Sequence, residues 1–269
     1  MLETFKKEWE AKVALGIFAV FLAWWVYMHL ALPHDNVLYS LYGQSYGILA
    51  LWGGIWGLII SKKWGGIRSV MGRAILMFSL GLFAQEFGQM AYTYYIFVSH
   101  IEIPYPSIGD IGFFGTIPFY IYGAYLLSKA SGVRISLRSF KNKLQAIIIP
   151  LVMVGIAYFL FLRNYPLDFS QPLKSFLDFG YPLGQAIYVS IAIFTYFATR
   201  SLLGGIMKSK VLLILFAFVA QFLSDYLFIY FQNQYYPGHL IDLVYTFSYM
   251  IMAFGIIGLK TAYNQLHRV

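Results

Sequence analysis

Residues Val211–Phe231 read VLLILFAFVAQFLSDYLFIYF, and this stretch decides the fold. Its apolar residues neither alternate with period two, as in a barrel strand, nor confine themselves to one face, as on a soluble helix. A bilayer core about 30 Å thick needs roughly 20 such residues as helix. Inside the run stand Gln221, Ser224 and Asp225. At about 1.5 Å per residue, Asp225 lies roughly 21 Å from Val211. A carboxyl group at that depth is costly unless it faces an interior.

Seven further runs have the same character: Val13–Leu32, Val37–Ser61, Val70–Val98, Ile111–Leu127, Leu144–Leu162, Tyr181–Ala198 and Leu243–Leu259. Pro118 interrupts the fourth, and Pro104 and Pro106 crowd its start. The whole chain agrees: 60% of its 269 residues are hydrophobic and 11% charged, with a mean hydropathy of +0.67. A soluble domain carries about a quarter charged residues. The composition therefore excludes an ordinary soluble enzyme, a disordered chain and a nucleic-acid-binding domain. With no cysteine there is no disulfide, no thiolate metal site and no thiol nucleophile. The charged, polar start Met1–Lys12 followed by a full-length run argues against a cleaved signal peptide.

Basic residues set the orientation. Alternate connections hold Lys6, Lys7 and Lys12; Lys62, Lys63, Arg68 and Arg73; Lys129, Arg134, Arg138, Lys141 and Lys143; Arg200, Lys208 and Lys210; and Lys260 and Arg268. Of 19 basic residues only Arg163 and Lys174 fall on the other side. The expectation is an all-α integral protein of the cytoplasmic membrane, with eight transmembrane helices, both termini cytoplasmic and the lipid bilayer as its first partner. Asp35, Glu102, Asp110, Asp168, Asp178 and Asp242 then lie on or near the outer side. There, Pro and aromatics combine at Ile103–Pro106, Tyr165-Pro166 and Tyr235–Pro237, where tyrosine ordinarily anchors to the membrane interface.

The halves 1–130 and 131–269 echo each other. Gly43-Gln44 matches Gly184-Gln185, Gly65-Gly66 matches Gly204-Gly205, and Ala84-Gln85 matches Ala220-Gln221. Gln89 then falls on Asp225, and Asp110 on Asp242. Four runs per half is an even number, so the halves form two parallel four-helix repeats.

The polar residues inside the runs are the candidate ligand-binding set: Gln85, Glu86, Gln89, Asp110, Gln221, Asp225 and Asp242. Gln85/Gln89 and Gln221/Asp225 are i, i+4 pairs, each on one helix face. Their alternative role is interhelical hydrogen bonding, worth about 0.6 kcal/mol each. Asp110 and Asp242, each at the start of a helix, alternatively serve as N-caps. Gln89 and Asp225 are expected to share a cavity between the halves. The cofactor is left unknown. His34, His100 and His239 fall in outer loops, where surface positions are the default. The basic loop 129–143 attracts anionic lipid or simply sets topology.

Tyr105-Pro106-Ser107 with Asp110, Asp178-Phe179-Gly180-Tyr181-Pro182-Leu183-Gly184, and Ser224-Asp225-Tyr226 with Asp242-Leu243 and Tyr245 resemble a known pattern. They are similar to signatures of the multi-helix N-terminal membrane sensor region of bacterial diguanylate cyclases and histidine kinases. The resemblance covers roughly residues 100–260. Gln185 and Gly109 depart from it. The chain ends about ten residues after the last run, so the resemblance implies a sensor without cyclase or kinase activity of its own, signalling to a separate cytoplasmic or membrane partner. A small-solute or ion transporter is the main alternative, although no run shows a clear midplane break with Gly/Pro on both halves, Pro118 and Pro150 having no matched partners. Ser107-Ile108-Gly109-Asp110 also resembles the G-x-G-D motif of intramembrane aspartyl proteases, a third reading.

Overall fold

A computed structural model describes residues 6–133, 138–165, 170–199 and 205–267. Arg134, Pro166, Asp168, Arg200, Gly204 and Arg268 of the sequence reading lie outside them. The described residues form α1 (Trp9–Ala31), α2 (Val37–Ser45), α3 (Ile48–Lys63), α4 (Val70–Thr93), α5 (Ile108–Ala130), α6 (Phe140–Ala157), α7 (Pro172–Thr199), α8 (Gly205–Tyr230) and α9 (Leu240–Leu266). Wider turns at Tyr94–Val98 and Tyr158–Leu162 prolong α4 and α6. No strand occurs among the described residues. With α2 and α3 taken together, eight helices are long and apolar enough to cross a membrane.

The helix ends follow from local chemistry. Asn36 accepts from Leu38 N at 3.0 Å and Ser69 from Gly72 N at 2.8 Å, so each satisfies an amide with no intrahelical partner. Gly65, at φ 90°, turns the chain between α3 and α4 in the left-handed region that glycine tolerates. The helices outrun the apolar runs. α7 starts at Pro172 rather than Tyr181, and α9 covers Leu240–Leu266 rather than Leu243–Leu259. Proline suits the first helical position, and polar end residues remain helical where their backbone bonds are kept. The expected interruption at Pro118 does not occur: α5 runs through it, as α6 runs through Pro150 and α7 through Pro182.

The second run loses its regular helical hydrogen bonding at Tyr46-Gly47, although both residues keep right-handed helical backbone angles. α2 stops at Ser45, Tyr46-Gly47 form a turn, and α3 starts at Ile48. The cause lies on α4. Gln89 Nε2 donates to the Gly43 carbonyl, and Thr93 Oγ1 lies 3.5 Å from the Gln44 carbonyl. Side chains thus engage carbonyls that a continuous helix would satisfy from its own next turn.

Six segments close a ring in the order α3, α4, α5, α7, α8, α9 and back to α3. α1 lies outside it on α9, α2 and α3, and α6 lies outside on α7. The apolar windows of α1 and α6 are 17% and 11% buried, against 72% for α9, which makes these two the peripheral helices. Phe78, Phe218, Tyr120 and Tyr188 fill the ring's centre, Phe218 meeting the other three at ring separations of 5.1–5.6 Å. α4 and α5 touch backbone to backbone at Gly112. A Cβ there would lie 2.4 Å from the Ala84 carbonyl oxygen and 2.6 Å from Gly88 N.

Candidate functional site

The N-termini of α2, α5, α7 and α9 share one end of the bundle, the expected outer end. Asp110 and Asp242 sit there, and both are the third residue of their helix rather than its cap. The cap positions belong to Ser107 and His239. Each aspartate reaches back to a preceding amide and also accepts a tyrosine hydroxyl. Asp110 takes Ser107 N at 2.7 Å and Tyr181 at 2.8 Å. Asp242 takes Gly238 N at 2.7 Å and Tyr235 at 2.9 Å. A third clamp forms at Asp178, which accepts Tyr105 at 2.5 Å and also Tyr165. Burial, then the aspartate beside it, raises the Tyr235 phenol well above its ordinary range; burial and the bond to Asp178 do the same for Tyr105. Both phenols stay protonated and donate to the carboxylates. Three clamps therefore tie the loops of this end to the helices.

Deeper in the bundle, Asp225 collects α7, α8 and α9. It accepts Tyr245 at 2.8 Å, Gln221 Nε2 at 3.1 Å and Tyr188 at 3.2 Å. Gln221 Oε1 in turn accepts Ser248 at 2.8 Å. Tyr249, one turn along α9 from Tyr245, reaches Gln85 Oε1 on α4 at 3.3 Å. Tyr46, at the break, lies with its ring 6.1 Å from those of both Tyr245 and Tyr249. Two hydrogen-bonded groups, Asp225 with Tyr245 and Gln85 with Tyr249, thus meet through the packed rings of Tyr245 and Tyr249, 6.2 Å apart, beside Tyr46.

Glu86 is different. It makes no hydrogen bond, and its Oε2 is buried. A Cβ on Gly47 would lie 2.1 Å from that oxygen, so the carboxyl group presses on the glycine at the break. Gln185, buried on α7, likewise has its Oε1 without a donor.

Of the seven candidates, Gln221 and Asp225 bond directly, while Gln85 bonds Tyr249, whose ring packs on that of Tyr245 at 6.2 Å. Gln89 engages Gly43 on α2, while Asp225 engages α7 and α9, so the two do not bond each other. Asp110, Asp225 and Asp242 have separate partners and no mutual contact. Tyr188 and Tyr249 are absent from the sequence reading, and Tyr181, Tyr235 and Tyr245 enter it only as motif or interface residues, not as partners of the carboxylates. The i, i+4 pair Tyr245/Tyr249, on one face of an apolar helix, was the available signal.

At the same end as Asp110 and Asp242, His34 stacks on Tyr39 at 5.2 Å and meets Tyr236 at 4.7 Å, and Tyr236 meets His239 at 5.1 Å. His239 Nδ1 accepts from Ile241 N at 3.2 Å. Burial, then the charge of His29, lowers the His239 pKa. No group of three His, Cys, Asp or Glu side chains is placed to hold a metal ion among the described residues.

At the opposite end a cluster absent from the sequence reading closes the bundle. Lys260 of α9 lies 2.7 Å from Glu8 and 2.5 Å from Glu10, and Thr261 donates to Glu8 at 3.1 Å. Comparison with family models, curated proteins and solved structures yields no match.

Proposed function

We propose that the chain is a polytopic sensor of the cytoplasmic membrane, a ligand-binding module signalling to a separate partner. In this reading both termini are cytoplasmic and the bundle comprises two parallel four-helix repeats. The packing supports the duplication. The fourth helix of the first half, α5, packs on α7, the second of the other half; α9 packs correspondingly on α3. A parallel repeat about an axis along the membrane normal relates these two contacts.

One observation carries the ligand-binding reading: the polar cluster of Asp225 with Tyr245 and Gln85 with Tyr249, joined by the packed tyrosine rings, together with the unbonded Glu86 Oε2 at Gly47. Glu86 is half-buried, and packing alone calls for no enclosed carboxylate oxygen without a donor, since enclosing one costs stability. A group kept unsatisfied in the resting chain is suited to receive a ligand. The phenols that hold Asp225 belong to α7 and α9, so a ligand competing for that carboxylate shifts two helices against each other.

Transport is the second reading, and the Tyr46-Gly47 break favours it. Irregular helical bonding beside an ionisable side chain is a milder form of the discontinuous helices found at transporter sites. Proteoliposomes decide between them. A sensor passes no solute and retains a protein partner when purified from native membranes. Electrogenic uptake abolished by Asp225→Asn refutes the sensor assignment.

A further inference from the structure

Among the described residues, the polar interior has acceptors without donors, and its carboxylates have no cationic partner. Asp225 draws its three hydrogen bonds from two phenols and an amide. Asp242 draws its bonds from a phenol and a backbone amide. Glu86 has no partner, and its Oε2 is sealed against the Gly47 break. Independently of these, Gln185 is 4% exposed and its Oε1 is unbonded. It stands three residues from Tyr188, on the same face of α7. That face is turned toward Asp225, because the Tyr188 hydroxyl donates to it. Around this group lie the buried rings of Tyr46, Tyr188 and Tyr249 and the half-buried ring of Tyr245.

Resting on the ligand-binding reading above, we infer that the ligand is an organic amine bound as its ammonium ion. Its N–H groups supply the donors that Glu86 and Gln185 lack, and a charged donor makes the stronger bond to a carboxylate. Its positive charge offsets carboxylates that otherwise sit in a low-dielectric interior without a counter-ion. The tyrosine faces attract cations and exclude water. An anion would meet the opposite of what it needs: negative charge and surplus acceptors. A bare metal ion is disfavoured, because its ligands would be separate side chains on different helices with no group of three placed to hold one among the described residues.

The test uses the full chain in phosphatidylcholine nanodiscs, whose zwitterionic surface does not itself collect cations. Benzylamine and 1,4-diaminobutane are titrated by calorimetry against benzyl alcohol, benzoate and sodium chloride at matched ionic strength. We expect saturable binding of at least one amine, and no binding of the alcohol, benzoate or sodium. Glu86→Gln and Gln185→Leu should each weaken amine binding at least tenfold, with the unfolding midpoint measured in parallel to show that both variants fold. Binding of benzyl alcohol or benzoate that Asp225→Asn abolishes overturns the amine class while leaving the ligand-binding site standing. A response to sodium alone likewise overturns the amine. Failure of every probe to bind overturns both readings.

Discussion

Lys260→Met removes the cation that, among the described residues, holds Glu8 and Glu10 at the end of the bundle. Glu10 is 1% exposed and Glu8 6%, so the two carboxylates would be left buried without a counter-charge. Breaking a buried pair by removing one partner costs about 3–5 kcal/mol. The Lys260 side chain is itself 16% exposed, which places the expected loss near the lower bound, about 3 kcal/mol. At about 1.4 kcal/mol per decade, the unfolding equilibrium shifts by roughly a hundredfold. The effect is amplified topologically, since the clamp joins α1 to α9, the most buried of the membrane-length helices. The assay is unfolding by SDS in mixed micelles, followed by tryptophan fluorescence; Trp52 and Trp56 border the cluster, with Trp52 Nε1 donating to the Glu10 carbonyl and Lys260 lying over the Trp56 ring. Adding Glu8→Gln and Glu10→Gln to Lys260→Met should recover most of the loss, because amides carry no charge to strand. If Lys260→Met unfolds like the parent, or if the triple variant is less stable than the single one, the electrostatic account is refuted.

Three other outcomes are expected. The His239 pKa is lowered by burial and by His29, so the unfolded chain binds more protons at His239 than the folded one; stability from this group is full above the ordinary 6.5 and falls as pH drops through the lowered value. His239→Asn, which caps without titrating, should flatten the decline in unfolding midpoint between pH 7 and pH 5, and an undiminished decline would assign it elsewhere. Gly47→Ala and Gly112→Ala should separate function from folding. The first meets the movable end of Glu86 and should alter ligand response with little loss of stability, whereas the second meets backbone and should cost about 1–3 kcal/mol in the same SDS titration. Because the chain has no cysteine, single cysteines at positions 62 and 134 should label only from the cytoplasmic side and those at 102 and 239 only from outside; external labelling at 134 would overturn the topology.

The eight helices were legible because their signal is local: an apolar run of membrane length states its own environment, whatever it packs against. The charge segregation is local in the same sense, and so are the polar residues within the runs, Gln85, Glu86, Gln221 and Asp225. What the chain order could not convey is which group each of these meets. Tyr181 is 71 residues from Asp110, Tyr249 is 164 from Gln85, and Lys260 is 250 from Glu10. The break at Tyr46-Gly47 is tertiary in the same way. Val37–Lys63 carries no proline, and Gln89, 46 residues away, engages the Gly43 carbonyl. Burial of a helix is set by its own hydrophobicity, but satisfaction of a polar group depends on a partner, and partners meet only when distant helices pack. Hence the sequence alone determined the helices and their candidate polar residues. Only the packing decided that Asp110 and Asp242 bind loops, that Asp225 is held by three neutral donors, and that Glu86 is left with none.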